Sequence, residues 1–184
     1  GTDFHEVRLL RFNRDGSPDT SFGTAGQLSL TDPPGWVENP RIALTPSGAA
    51  YFVTQRGDRT TSSLLVARVT ADGVLDTSFG VGGRMIVDTP SSYLEAQIVR
   101  SDANGRLVIG GTLGPLDTGT PLVARLTDTG QLDSSFGDNG IVLMPFLQDN
   151  GWVNRLAIAA DGKIVAAGER FDANQIRQHF VARL

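Results

Sequence analysis

The chain of 184 residues carries 16 basic and 20 acidic side chains, a formal net charge of -4, and no cysteine. The absence of Cys excludes disulfides, thiolate nucleophiles and Cys-bound zinc, and without a run of Lys or Arg there is no footprint for a row of phosphates, so nucleic acid is not an expected partner. Its 22 Gly and 9 Pro against 7% aromatics suit short strands joined by turns better than long helices.

In chain order the first predicted strand is VRLLRF at 7–12, followed by the turn NRDG and the phrase PDTSFG at 18–23. A second strand, QLSLT, starts at 27, and the connection DPPGWVENP leads from it to a third, RIAL. The tight turn TPSG then leads into AAYFVT, and LLVARV from 64 completes the series. Alternation in that last strand places Leu65, Ala67 and Val69 on one side and Val66 and Arg68 on the other. LDTSFG at 75–80 then restarts the series, and LDSSFG at 132–137 restarts it again.

The period is fixed by several independent anchors. Phe22, Phe79 and Phe136 are 57 residues apart, and the same step joins Arg11, Arg68 and Arg125. It also joins Gly16, Gly73 and Gly130, then Gly26, Gly83 and Gly140, then Gly48, Gly105 and Gly162. Arg183 follows Arg125 by 58, one residue more. A repeated unit with four short strands and two hairpin turns reads as a propeller blade, because β-solenoid coils are usually only about 20–30 residues long. The expected fold is therefore all-β and propeller-like: three four-stranded blades on a repeat of about 57 residues, at 27–83, 84–140 and 141–184, preceded by an orphan outer strand and loop at 1–26.

The segments VARVTADGVLDTSFGVGGRMIV, LLRFNRDGSPDTSFGTAGQLSL and VARLTDTGQLDSSFGDNGIVLM resemble the delta-60 repeat, a bacterial propeller repeat found in tandem in large exported or surface proteins. The resemblance covers essentially the whole chain and implies a propeller-like fold in an extracellular or cell-surface setting. It implies no catalytic activity and no set of functional residues.

Within the repeated phrase, Asp19, Asp76 and Asp133 are expected to cap backbone amides of the following turn. Phe22, Phe79 and Phe136 are expected to fill the gap between consecutive blades. Arg11, Arg68, Arg125 and Arg183 are expected to pair with the Asp of the same repeat or to bridge blades. The alternative is one small-ligand site per unit. The turns NRDG and DANG are rich in Asp and Asn, but they lack the alternating oxygen ligands and distal Glu of a calcium loop, and no metal or cofactor is expected. The two histidines, His5 and His179, have no metal-ligand spacing.

The connections DPPGWVENP, DTPSSYLEA and PFLQDNGWVN differ in sequence, yet each carries an aromatic, Trp36, Tyr93 or Trp152. They should emerge on the face opposite the DTSFG loops, where variable loops on a rigid scaffold place a binding surface. The expected role is a non-catalytic interaction module that contacts a protein or glycan through Trp36, Tyr93 and Trp152. The alternative is a carbohydrate-active enzyme using channel carboxylates. No stretch of about 18 apolar residues is present to insert in a membrane, and any export signal is expected to precede the chain. Three blades and a strand do not close a ring, so a homo-oligomer, two chains giving six blades, is expected to complete it.

Overall fold

A computed structural model describes residues 6–31, 36–57, 62–88, 93–114, 118–144, 150–172 and 174–184, except for the side chains of 31 and 36–38. The described residues form strands and turns with no helix. A two-stranded sheet pairs β1 (Glu6–Leu10) with β2 (Gln27–Thr31). The second sheet runs β3 (Trp36–Leu44), β4 (Ala50–Gly57), β5 (Ser62–Val69), β6 (Arg84–Val87). The third repeats it with β7 (Leu94–Ser101), β8 (Leu107–Leu113), β9 (Thr120–Leu126) and β10 (Ile141–Leu143). The fourth has β11 (Gly151–Ile158), β12 (Ile164–Phe171) and β13 (Arg177–Arg183). Every pairing within these sheets is antiparallel.

The strands fall where the repeat places them, but the sheets cut the repeat one strand later than expected. Gln27–Thr31 pairs with β1 and not with β3, and Arg84–Val87 closes the second sheet instead of opening the third. The cause is local. The Asp76 amide donates to Arg68 O at 2.9 Å, the Gly83 amide to Phe79 O at 3.0 Å, and the Arg68 amide to Gly83 O at 3.0 Å. These bonds fold the DTSFG loop into a closed hairpin that returns β6 to β5. The loop therefore lies within a sheet, and the variable connections are the crossovers between sheets.

The sheets stack in series, and three apolar clusters fill the gaps. Between the first and second lie Leu9, Phe22, Leu30, Phe52, Ala67 and Val69. Between the second and third, Tyr51, Val53, Leu64, Val66 and Phe79 meet Val99, Leu107, Ile109 and Leu122. Val108, Val123 and Phe136 from the third sheet face Val153, Leu156 and Ile164 of the fourth. A middle sheet is thus buried on both faces, which is why β5 and β9 read as apolar runs rather than as strict alternation. The closest strand approach between sheets is β3 against β7 and β7 against β11, so these strands line the inner side of the stack and β6 and β10 its outer rim.

The faces that end the stack expose side chains whose counterparts one period away are covered. Phe12 is 57% exposed where Val69 and Leu126 are 0%, and Ile42 is 58% exposed where Val99 is 2%. At the other end Val181 is 75% exposed where Val66 and Val123 are 0%.

Candidate functional site

Two ends of the stack differ in kind. One carries the hairpin turns at 45–49, 102–106 and 159–163 together with the DxSFG loops. There the Arg68 guanidinium donates through Nε to Asp76 Oδ2 at 2.7 Å, through Nη2 to Ser78 Oγ at 2.8 Å, and through Nη1 to the carbonyl of Asp128 in the next sheet. Its carbon lies 5.2 Å from the centre of the Phe79 ring, a cation–π contact. The same set recurs with Arg11, Asp19, Ser21, Phe22 and the carbonyl of Ala71. It recurs again with Arg125, Asp133, Ser135 and Phe136.

A backbone bond completes each inter-sheet contact: the Gly23 amide donates to Asp72 O at 2.8 Å and the Gly80 amide to Thr129 O at 2.9 Å. Gly73 and Gly130 must be glycine. Each has φ near +80°, and a Cβ on Gly130 would lie 2.9 Å from the Gly80 nitrogen and from the Phe79 ring. The carboxyls of Asp19, Asp76 and Asp133 are all held below the ordinary aspartate range, first by the serine hydroxyl two residues on and then by its amide and the arginine, with burial opposing. Nearly every donor and acceptor of the clasp is taken by the protein itself. Arg183 stands apart: at 62% side-chain exposure it reaches Asp161 Oδ2 at 3.5 Å and meets no DxSFG aspartate among the described residues.

At the opposite end lie the strand ends that lead into the crossovers and into the β4–β5, β8–β9 and β12–β13 connections. Each inner strand bulges there at one register position, between Glu38 and Arg41 in β3, Ala96 and Ile98 in β7, and Val153 and Arg155 in β11. A bulge re-aims side chains out of the sheet plane, and the positions left out of the pairing are Asn39 and Pro40 in β3, Gln97 in β7 and Asn154 in β11. Asn39 adopts φ 54°, in the left-handed region that Asn tolerates. Its amide donates to Glu95 Oε1 at 3.4 Å, Gln97 Nε2 donates to the same oxygen at 2.8 Å, and Arg41 Nε donates to Gln97 O at 2.8 Å. Adjacent inner strands are thereby linked by amide, carboxylate and guanidinium groups.

Of the three aromatics expected here, Trp152 is half-buried on β11 with its ring 5.9 Å from that of Phe171, tilted by 46°. Tyr93 is only 9% exposed, buried rather than presented to a ligand. The Trp36 side chain lies outside the described residues, although its backbone opens β3 opposite Gly57. The sequence reading missed the bulges and Phe171. The 57-residue step aligns the three bulged stretches, 39–41, 96–98 and 153–155, but they read Asn-Pro-Arg, Ala-Gln-Ile and Val-Asn-Arg and share no residue pattern that marks a bulge. Among the described residues no group of three or more His, Asp or Glu could hold a metal ion.

A scan of family models matches the chain to "Domain of unknown function (DUF5122) beta-propeller" over residues 1–22, 49–79, 103–136 and 159–184. These segments make up more than half of the chain, and the chain belongs to this β-propeller repeat family. No curated protein matches the sequence. The first three matched segments end at Phe22, Phe79 and Phe136, so the family pattern covers the hairpin turn, two strands and the clasp. The crossovers and the bulged inner strands fall between the segments.

Proposed function

We propose that this chain is a non-catalytic interaction module, built of delta-60-type repeats, of an exported or surface-displayed protein. It binds a glycan or a protein at the crossover end. The observation that carries this reading is the contrast between the two ends. The clasp end is made of repeated, internally satisfied bonds, whereas the crossover end brings different polar side chains, Asn39, Arg41, Glu95, Gln97 and Asn154, to the bulged part of the inner strands, with Trp152 and Phe171 on the same sheet as Asn154. Amide and guanidinium groups suit sugar hydroxyls, and the face of an indole suits the C–H face of a pyranose ring. A rigid stack supplies the preformed surface, and binding requires no chemical step.

The test is a glycan array probed with the chain and read for both retention and released product. Retention without product, lost in Trp152→Ala or Asn154→Ala, supports the reading. Product release points to the carbohydrate-active alternative instead. The open faces at Phe12 and Ile42 and at Val181 are, on the same proposal, covered by further sheets from a second chain.

A further inference from the structure

A second surface lies on the outer rim, away from the crossover end. An open groove of about 730 Å³ follows the outer strand β6 and is lined by Arg56, Leu65, Val81, Arg84, Met85 and Ile86. One period later a groove of about 450 Å³ follows β10 and is lined by Leu113, Asp138, Ile141, Val142 and Leu143. Positions 56, 81, 84, 85 and 86 plus 57 give 113, 138, 141, 142 and 143, so the fold builds the same groove twice and varies only its lining. In the β10 copy the positions of Arg56 and Arg84 are filled by Leu113 and Ile141. Among the described residues neither the Arg56 nor the Arg84 guanidinium has a hydrogen-bond or ion-pair partner. Ile86 is 45% exposed between them and Val81 is 88% exposed.

The edge beside this groove is partly open. Val81 and Arg84 exchange both backbone bonds, at 2.7 Å and 3.2 Å, which closes the first position of the edge. Pairing alternates along an antiparallel ladder, so if Arg84 faces outward to Val81, then Ile86 also turns its N–H and C=O away from β5. Outward amide and carbonyl groups on an edge strand accept an extended chain.

We propose that the β6 groove is a docking site for an extended acidic peptide segment. The peptide pairs with the free edge at Ile86, brings alternate carboxylates to Arg56 and Arg84, which share a sheet face with Leu65 and Ile86, and turns the apolar side chains between them to the face of Met85. The β10 groove, apolar at both positions, does not take this ligand.

The experiment measures fluorescence anisotropy of a fluorescein-labelled octapeptide of alternating Glu and Val, with its Gln and Lys counterparts and a labelled oligogalacturonate as further probes. The comparison protein is the Arg56→Leu, Arg84→Ile variant, whose new residues are those that the next unit already accepts at the same register. The Glu peptide should bind the native chain, and its Kd should rise at least about tenfold in the variant, as loss of two charged hydrogen bonds implies. The Gln peptide should bind more weakly and the Lys peptide not at all. Equal affinity in native chain and variant, no binding of the Glu peptide, or arginine-dependent binding of the oligogalacturonate alone overturns the proposal. Trp152→Ala should leave peptide binding unchanged, so failure here is distinguishable from failure of the crossover-end reading.

Discussion

The amide of Gly80 donates to the carbonyl of Thr129 across 2.9 Å, and this bond ties the DTSFG loop of one sheet to the turn of the next. Around it stand Arg68, which bonds the neighbouring carbonyl, and Phe79, which is wholly buried against Tyr51 at a ring separation of 5.4 Å. The most recognisable phrase of the sequence is therefore an inter-sheet clasp.

Loss of the Phe79 ring should be severe. Phe79→Ala removes a fully buried aromatic from the gap between the second and third sheets and should cost about 3–5 kcal/mol. Urea unfolding checks this, with the midpoint falling at unchanged slope.

Gly130 and Gly16 make an internal comparison, since both have φ close to +85°. Gly16→Ala meets nothing within 4 Å and should cost only about 1 kcal/mol, the penalty for a left-handed residue with a Cβ. Gly130→Ala drives a Cβ into the Gly80 amide and the Phe79 ring and should cost clearly more. Thermal unfolding of the two variants gives the order directly.

Acid should weaken the clasps. The aspartates at 19, 76 and 133 titrate below their ordinary range when folded, so their contribution is fully present above the unfolded value of about 3.9. It is lost as pH falls through the lower folded values. Stability measured from pH 6 downward should drop below about pH 4, and the drop should be shallower in Asp76→Asn, which also starts from a lower plateau.

Exposed apolar side chains on both end faces lead to an expectation about association. Light scattering across a concentration series should show the molar mass rising above that of one chain of 19.6 kDa. Phe12→Glu with Val181→Glu should hold it at the single-chain value.

The period was legible because Phe, Arg and Gly recur at one spacing, and the strands followed from it. The phase was not. A repeat can be cut anywhere along its length, and only the bonds from Asp76 to Arg68 and from Gly83 to Phe79 decide that β6 returns to β5. Likewise, the bulges at Asn39, Gln97 and Asn154 arise from an extra residue set against a partner strand, which a single strand's alternation does not reveal. Tyr93 shows the same limit: an aromatic in a variable connection looks available for binding, but packing against neighbours decides its burial. Arg183 shares the spacing of its counterparts within one residue, yet pairs with Asp161 because no DxSFG aspartate lies beside it among the described residues.

Amide hydrogen exchange at Gly80 tests the clasp most directly. If the DTSFG loop locks adjacent sheets, the Gly80 amide should exchange as slowly as the central strands β4 and β8, with an opening free energy near that of global unfolding. Exchange at the rate of an exposed turn such as 45–49 would contradict it.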